Sequence, residues 1–201
     1  MSSKGKIAIL VLAAGGSSRM GEHKQLLLWK NKTLVENAVQ SVLGVSRSDA
    51  YVVLGANHKQ IEEVLNPYSV KTIYNHDWKQ GLGNSIACGV KHVKDLEYEG
   101  VLVMLADQPL ITSEDLEGFI IEFKKGSKSI LASKYENDSI GVPVIFDKSY
   151  FVELTQLNED KGAKTIIKKY SEKVMTINLG NKLVDIDTKE AYQKLFEANH
   201  Q

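Results

Sequence analysis

The sequence predicts an α/β protein whose mostly parallel β-sheet lies between layers of helices. Short apolar runs alternate with helical patterns from residue 6 onward, and the first run, at 7–12, is apolar at every position. An unbroken apolar run is typical of a strand that is buried on both faces of a parallel sheet. Strands that alternate with helices favour a layered sheet, in which ligands bind at the carboxyl ends of the strands.

The remaining strands are predicted from similar apolar runs along the chain. They lie at residues 50–54, 70–74, 101–105, 129–132, 142–146, 174–179 and 183–186. We therefore expect functional residues directly after positions 12, 54, 74 and 105, where four of these strands end.

The helices are predicted from their start and stop signals. Thr33, with Glu36 three residues later, matches the capping-box pattern. Asn57 and Thr112 are residue types that cap helices, and Pro67 ends the helix that follows Asn57. The predicted helices lie at about 33–43, 57–67, 85–93, 112–125, 149–157, 163–170 and 188–198.

Composition excludes several classes of protein. The chain has 201 residues, of which 43% are hydrophobic and 25% charged, and we expect one domain over residues 1–201. Lys plus Arg and Asp plus Glu are equal at 25 each, which argues against a nucleic-acid partner. No apolar run approaches the ~20 residues of a membrane span, and no signal-peptide pattern is present. With Cys88 as the only cysteine, we expect a cytoplasmic protein without disulfides or thiolate metal sites.

The segment after the first strand is rich in small residues and carries two cations. Residues 12–27 are Leu-Ala-Ala-Gly-Gly-Ser-Ser-Arg-Met-Gly-Glu-His-Lys-Gln-Leu-Leu. Small residues allow backbone N–H groups to approach phosphate oxygens, and Arg19 and Lys24 provide charges suited to a polyphosphate. The same composition also suits a simple turn with two solvated cations. The P-loop and Gly-x-Gly-x-x-Gly patterns do not occur here.

This segment resembles the signature loop of nucleotidyltransferases with a GT-A-like fold. Its Ala-Ala-Gly and Lys-x-Leu-Leu elements are similar to those of molybdopterin cytidylyltransferases, whereas the related guanylyltransferases have Ala-Gly-Gly and an Asp at the position of His23. The resemblance implies a three-layer, Rossmann-like fold of the nucleotide-diphospho-sugar transferase type. It also implies catalytic roles for Lys24 at the phosphates and Arg19 at the triphosphate. The backbone of Leu12, Ala13, Ala14 and Gly15 would bind the nucleotide.

Carboxylates follow two of the predicted strands. Asp107 comes directly after the buried run at 101–105 and is well placed to hold Mg²⁺, although an Asp there can also cap a turn. Asp-Gln-Pro at 107–109 resembles the metal-binding Asp-x-Pro of the family. Asp185 and Asp187 alternate on a predicted strand, so both could face one cation, and their segment resembles the family's Asp-Ile-Asp ending. We predict Asp107 and Asp187 as metal ligands, with helix capping as the alternative for Asp187.

Residues 81–85, Gly-Leu-Gly-Asn-Ser, resemble the Gly-x-x-x-Ser segment beside the nucleotide base. Gly81 and Ser85 are therefore predicted to bind the nucleotide, although Asn84 or Ser85 can also cap a helix. The polar residues just upstream are expected at the surface. These are Asn75, His76 and Asp77.

Two segments of the C-terminal half resemble parts of the family near the acceptor substrate. Residues 141–144 are Gly-Val-Pro-Val, with Val142 where the family has a polar residue, and residues 158–163 resemble Gly-Asp-Lys-Gly-Ala. Pro143 and Lys161 are the predicted acceptor-binding residues, and a solvated lysine is the alternative for Lys161. The resemblance extends from residue 7 to about residue 193.

The motifs by themselves predict binding of a nucleotide and a metal, and the resemblance implies Mg²⁺-dependent nucleotidyl transfer. In that reaction an acceptor phosphate attacks the α-phosphorus of a nucleoside triphosphate and pyrophosphate leaves. By resemblance, the nucleotide is CTP, the acceptor is the molybdopterin cofactor, and the product passes to an apo-molybdoenzyme of the xanthine dehydrogenase type. The alternatives are a molybdopterin guanylyltransferase, a sugar- or polyol-phosphate nucleotidyltransferase, and a non-catalytic molybdenum-cofactor delivery protein. Ala14 and His23 argue against the first alternative, and the presence of Lys24 and Asp107 argues against the last.

Overall fold

The computed structural model of the protein describes residues 5–16, 23–124, 129–158 and 160–199. Within these ranges, the main sheet has seven strands. They are β1 (Lys6–Ala13), β4 (Ser48–Leu54), β5 (Lys71–Tyr74), β6 (Tyr98–Leu105), β7 (Ile130–Lys134), β8 (Ile140–Asp147) and β9 (Val174–Asn178). Their order across the sheet is β5-β4-β1-β6-β8-β7-β9. A separate two-stranded ribbon pairs β2 (Leu28–Trp29) with β3 (Lys32–Thr33).

The sheet is mostly parallel, as predicted. β1 pairs in parallel with β4 and β6, β4 with β5, and β7 with β9. Only the pairings of β8 with β6 and β7 are antiparallel among the described strands of this sheet. The carboxyl ends of β5, β4, β1 and β6 therefore meet at one edge of the sheet.

Helices cover both faces of this sheet. They are α1 (Leu34–Leu43), α2 (His58–Leu65), α3 (Leu82–Val93), α4 (Ser113–Phe123), α5 (Phe151–Leu154), α6 (Lys164–Lys169) and α7 (Lys189–Asn199). Among the described residues, no helix combines the length and apolar character that a membrane crossing requires.

The core lies in two layers because side chains alternate along each strand. In β1, Ile7, Ile9 and Val11 pack on one face against residues of α1, α2 and α4, whereas Leu10 and Leu12 pack on the other against residues of α3, α5 and α6. Every residue of β1 from 7 to 13 is buried. The prediction of a three-layer fold with a strand buried on both faces is confirmed.

Several predicted helix starts are present, with one exception. Thr33 Oγ1 accepts from the Glu36 N–H and Glu36 Oε2 accepts from the Thr33 N–H at 2.7 Å, which completes the capping box. Thr112 forms the same arrangement with Asp115. Asn57 precedes α2 in a left-handed conformation (φ 59°), and its side chain makes no capping hydrogen bond, so that prediction is wrong. Its backbone conformation, not its side chain, turns the chain into the helix.

The predicted strand at 183–186 does not form. The segment follows a short 3-10 turn (Gly180–Lys182) and has no regular structure. The Ile186 N–H donates to the carbonyl oxygen of Asp107, beyond the end of β6, at 3.1 Å. Since β6 is already paired on both edges, by β1 and β8, no strand edge is open to this segment there. Ile186 is buried with Trp29 and Leu34 instead.

Candidate functional site

A cavity of about 380 Å³ opens at the edge where β1, β5 and β6 end. This volume is within the range of small-molecule sites in proteins. Predicted site residues from four separate segments of the chain line it. They are Leu12, Ala14, Gly15, Lys24, Gly81, Ser85, Asp107 and Asp187.

Three predicted residues lie elsewhere, and one lies outside the described residues. Ala13 is 1% exposed and packs in the core on the α1 side of the sheet, so only its backbone can take part in binding. Pro143 and Lys161 are not among the described residues that line the cavity. Arg19 belongs to the residues that the structure does not describe.

The end of β1 and the first residues after it are held in place by hydrogen bonds to their carbonyl groups. The Ala106 N–H donates to the Leu12 carbonyl at 3.1 Å, and the Ala56 N–H donates to the Ala14 carbonyl at 3.0 Å. The Gln25 side chain, which is 4% exposed, donates from Nε2 to the Gly15 carbonyl at 2.9 Å. Gln25 was not identified from the sequence, because an amide near a glycine-rich turn carries no local signal of such a contact.

Trp78 packs against the small residues of this region and lines the cavity. A Cβ atom on Gly55 would lie 2.5 Å from Trp78 Cβ and 2.6 Å from the Ala14 carbonyl oxygen, and one on Gly16 would lie 3.1 Å from the indole ring. Glycine at position 55 therefore allows the tryptophan to approach the loop after β1. Trp78 therefore packs against this region and also forms a wall of the site.

Lys24 lies between the two carboxylates that were predicted as metal ligands. Its Nζ atom donates to Asp107 Oδ2 in a short ion pair and to Asp187 Oδ1 at 3.1 Å. The side chains of Lys24 and Asp107 are 15% and 12% exposed, whereas that of Asp187 is 44% exposed. Burial alone would lower the pKa of Lys24, but the charges of Asp107 and Asp187 outweigh it and hold the pKa above the usual value. The ammonium group is thus kept protonated.

The two carboxylates fit a divalent cation that is shared with a phosphate ligand. Asp107 and Asp187 already converge on one positive charge, and Asp107 Oδ1 is buried without a hydrogen-bond partner in the described part of the chain. That part holds no group of three or more His, Cys, Asp or Glu side chains suited to a metal. Mg²⁺ characteristically binds through one or two carboxylates together with phosphate oxygens and water, which matches this set.

Asp185 is hydrogen-bonded to Gln108 and not to Lys24. Gln108 Nε2 donates to Asp185 Oδ1 at 2.8 Å and to the Tyr135 hydroxyl at 3.0 Å. Burial and the nearby charge of Asp107 raise the pKa of Asp185 to about 6, and burial together with Asp185 raises the pKa of Tyr135 to about 12. The expectation that Asp185 and Asp187 share a face rested on a strand, and that segment is not a strand.

The capping alternative for Asp187 is not supported. The Ala191 N–H donates to Thr188 Oγ1 at 3.1 Å, so Thr188 caps the start of α7. Asp187 is the residue that pairs with Lys24.

The segment from β5 to α3 forms the other side of the cavity. Gly81 has φ 102°, and a Cβ atom there would lie 2.3 Å from Asp160 Oδ1, so only glycine fits. Asn75 is 3% exposed, and its Nδ2 donates to Ser85 Oγ at 3.2 Å. The prediction that Asn75 lies at the surface is wrong, because this buried bond holds it against α3. His76 and Asp77 are exposed, as expected.

The predicted acceptor residues lie apart from each other. Pro143 is buried in β8, where the sheet register shifts opposite Ser133, and its carbonyl accepts from Ser133 Oγ at 2.9 Å. A proline in an inner strand is tolerated at such an irregularity. Lys161 is exposed, next to the cavity-lining Asp160.

One edge of the α/β sheet thus holds a cavity lined by Lys24 between two carboxylates and by small residues directly after β1, an arrangement typical of a nucleotide-binding transferase. Residues 9–174 match the model of the MobA-like NTP transferase domain. The chain therefore belongs to this family, in the GT-A-like nucleotidyltransferase superfamily, and its general activity is nucleotidyl transfer.

Named relatives cover almost the whole chain. Nicotine blue oxidoreductase of Paenarthrobacter nicotinovorans is 28% identical over 196 residues, which are 92% of this chain and 94% of that protein. Purine catabolism protein PucB of Bacillus subtilis (strain 168) is 25% identical over 197 residues, covering 93% and 94%.

Solved structures show the same fold. The crystal structure of Rv0371c from Mycobacterium tuberculosis H37Rv superimposes with a TM-score of 0.86 at 25% identity, covering 97% of this chain and 99% of that one. A crystal structure of Rv0371c in complex with manganese has a TM-score of 0.80 at 23% identity, with 96% and 99% covered.

Proposed function

We propose that the protein transfers CMP from CTP to the terminal phosphate of a molybdopterin-type acceptor and releases pyrophosphate. The observation that carries this proposal is the convergence of Lys24, Asp107 and Asp187 at the wall of a cavity whose other walls are the loop after β1 and the start of α3. That arrangement places positive charge and metal-binding oxygens where a triphosphate would lie beside a small-residue backbone.

Different residues of the site would have different roles in such a transfer. The backbone of the loop after β1, together with Gly81 and Ser85, would hold the base and sugar. Lys24, which its neighbours keep protonated, would neutralise charge on the α-phosphate in the transition state. An acceptor phosphate is already anionic, so attack needs no general base and depends on positioning. Asp107 and Asp187 would hold a Mg²⁺ ion, which supplies further charge neutralisation of the triphosphate.

A divalent metal is supported by the chemistry of the two carboxylates and by the manganese complex of the relative Rv0371c. CTP is supported by the Ala-Ala-Gly element, of which Ala14 lines the cavity, and by His23 before the lysine. The molybdopterin acceptor, and with it an apo-molybdoenzyme of the xanthine dehydrogenase type as recipient of the product, is supported by the sequence resemblance.

Titration of CTP, GTP, ATP and UTP, each with Mg²⁺, into the purified protein tests the nucleotide. We expect CTP to bind at least ~10-fold more tightly than the others, and preferential binding of GTP would contradict the cytidylyl assignment. The acceptor is tested by incubating the protein with Mg²⁺, α-phosphate-labelled CTP and molybdenum-bearing molybdopterin. Label should appear in a dinucleotide, with one pyrophosphate released per transfer. Tight CTP binding without transfer to this acceptor would contradict the acceptor alone.

A further inference from the structure

Two buried polar side chains meet at the wall of the cavity. Asn75 follows β5 and Ser85 lies in the first turn of α3, and each is 3% exposed. Ser85 lines the cavity, whereas Asn75 is not among the described residues that do so. The hydrogen bond to Ser85 therefore links the buried Asn75 directly to a side chain that lines the cavity.

The orientation of the Asn75 amide is fixed by the backbone of the next turn. The Asp77 N–H donates to Asn75 Oδ1 at 3.0 Å, and a backbone N–H can only donate. The amide oxygen therefore faces Asp77, and the amide NH₂ group faces Ser85. An amide NH₂ group offers no lone pair, so Ser85 Oγ must be the acceptor in this 3.2 Å hydrogen bond.

This bond determines what the Ser85 hydroxyl can do. A serine hydroxyl has one proton to donate and can accept as well. With its oxygen engaged by Asn75, the hydroxyl retains its proton for another partner, and the bond from Asn75 is the side-chain hydrogen bond that Ser85 makes within the described residues. Ser85 lines the cavity, so its hydroxyl is available to donate to a ligand bound there.

We infer that Asn75 is a positioning residue that sets the polarity of the nucleobase site, so that Ser85 donates a hydrogen bond to an acceptor atom of the base. The chemical class selected is a base that presents a carbonyl oxygen or an unprotonated ring nitrogen at this point. Cytosine presents both on its pairing edge, as O2 and N3. The inference rests on the proposed function in one respect, which is that the cavity binds a nucleoside triphosphate.

The Asn75→Asp substitution tests this inference, because it reverses the bond without changing the shape of the side chain. One carboxylate oxygen would still accept from the Asp77 N–H, and the other would face Ser85 Oγ without a proton. Ser85 would then have to donate to this introduced carboxylate and would present only lone pairs to the cavity. We expect the Kd of Mg·CTP to rise about 10-fold, the effect of one well-placed hydrogen bond.

The design separates polarity from charge and from folding. Mg·tripolyphosphate, which has no base, should bind the variant as it binds the parent protein. Asn84→Asp is the matched control, since Asn84 lies beside Ser85 in α3, donates to Gln80 at 3.3 Å and does not line the cavity. It should leave the Kd of Mg·CTP within about twofold. Thermal unfolding shows whether each variant is folded.

A double-mutant cycle gives the decisive readout. Ser85→Ala should by itself raise the Kd of Mg·CTP about 10-fold, and Asn75→Asp should add nothing in that background. If the increases in Kd of the two single variants multiply in the double variant, the inference is overturned. It is also overturned if Asn75→Asp weakens the binding of Mg·CTP and of Mg·tripolyphosphate equally. If Asn75→Asp does not fold, Asn75→Ala replaces it. We expect Asn75→Ala to raise the Kd of Mg·CTP about threefold, because the Ser85 hydroxyl can then rotate toward the Gly81 carbonyl. This effect should likewise be absent in the Ser85→Ala background.

The same titrations distinguish this inference from the proposed function. If the parent protein prefers GTP or another nucleotide, the cytidylyl proposal fails, and the cycle is measured on the preferred nucleotide. If the parent binds no nucleotide more tightly than tripolyphosphate, the cavity does not recognise a base and the inference is overturned.

Discussion

Two parts of one sheet edge differ in how they use their polar groups. In the first part the parallel strands β1, β5 and β6 end, and in the second the antiparallel strand β8 begins. Where β1, β5 and β6 end, the chain leaves the sheet, and the residues that follow, such as Ser85 and Asp107, turn into one cavity. At β8 the chain enters the sheet in the opposite direction, and its polar groups are used internally. The Val142 carbonyl accepts from Tyr135 at 2.8 Å, and the Pro143 carbonyl accepts from Ser133. In this sheet the parallel strand ends therefore bring polar groups to the cavity, whereas the start of the antiparallel strand β8 uses its polar groups within the fold.

The largest effect is expected on the parallel side. Asp107→Asn keeps the shape of the side chain but removes the charge that pairs with Lys24 and that would bind the metal. We expect kcat/KM for nucleotidyl transfer to fall about 10²-fold or more, because the lost interaction acts on developing charge in the transition state. Steady-state kinetics with Mg²⁺ and saturating acceptor measures it.

Asp138→Asn is a suitable control for this substitution. Asp138 is an exposed carboxylate in the β7–β8 turn that pairs with Lys134 at 2.8 Å, away from the cavity. Its removal should leave kcat/KM within about twofold. If Asp107→Asn transfers nucleotide as fast as the parent protein, Asp107 has no role in the reaction. The carboxyl ends of the parallel strands would then not provide the catalytic carboxylate.

An intermediate effect is expected where the two parts meet, at Asp185. The pKa of Asp185 is raised to about 6 in the folded protein, above the value of about 4 for an unfolded chain. The native state therefore binds this proton more tightly, so its contribution to stability is present below about pH 4 and is lost as the pH rises through 6. Asp185→Asn should be more stable than the parent at pH 7 by about 1 kcal/mol or more.

Denaturant unfolding of both proteins at pH 4 to 7.5, without metal, measures this difference. Comparing the two curves cancels the titration of other groups, because only residue 185 differs. The difference in the free energy of unfolding between the two proteins should become small toward pH 4. A difference that is independent of pH would mean that Asp185 does not titrate in this range.

The smallest effect is expected on the acceptor side. Lys161 is exposed and lies outside the cavity lining, and exposed charges contribute little. We expect Lys161→Ala to raise the KM for the phosphate acceptor about threefold and to leave the Kd of Mg·CTP unchanged. If Lys161→Ala instead changes the affinity for CTP, Lys161 interacts with the nucleotide and not with the acceptor. The nucleotide and acceptor sites would then not be separated in the way that we propose.

Much of the fold was predictable because its signals are local. Unbroken apolar runs predicted the strands of the sheet, and Thr33 with Glu36 predicted the start of α1. The segment at 183–186 is also mostly apolar, but whether it forms a strand depends on a free sheet edge, which no local pattern records. Its apolar residues are buried in other ways, Leu183 in the core beside α1 and α4 and Ile186 against Trp29.

The candidate site divides in the same way. Small residues, charges and the resemblance to a known family identified half of the residues that line the cavity, and the catalytic roles of these residues stay predictions. Asn75, Gln25 and Gln108 were missed because a buried amide is recognised by its partners, which for Gln108 are as distant in sequence as Asp185. The identity of an amide does not reveal such contacts.

The position of Lys24 between Asp107 and Asp187 has a consequence for how ligands enter. In the free protein the lysine acts as a tethered counter-ion, so the two carboxylates are partly compensated before any ligand arrives. A bare divalent ion would have to displace this ammonium group and leave it without an anion. A metal–triphosphate complex brings its own anion for the lysine, and binding then becomes an exchange of partners. We therefore expect the metal and the nucleotide to bind together, each raising the affinity of the protein for the other.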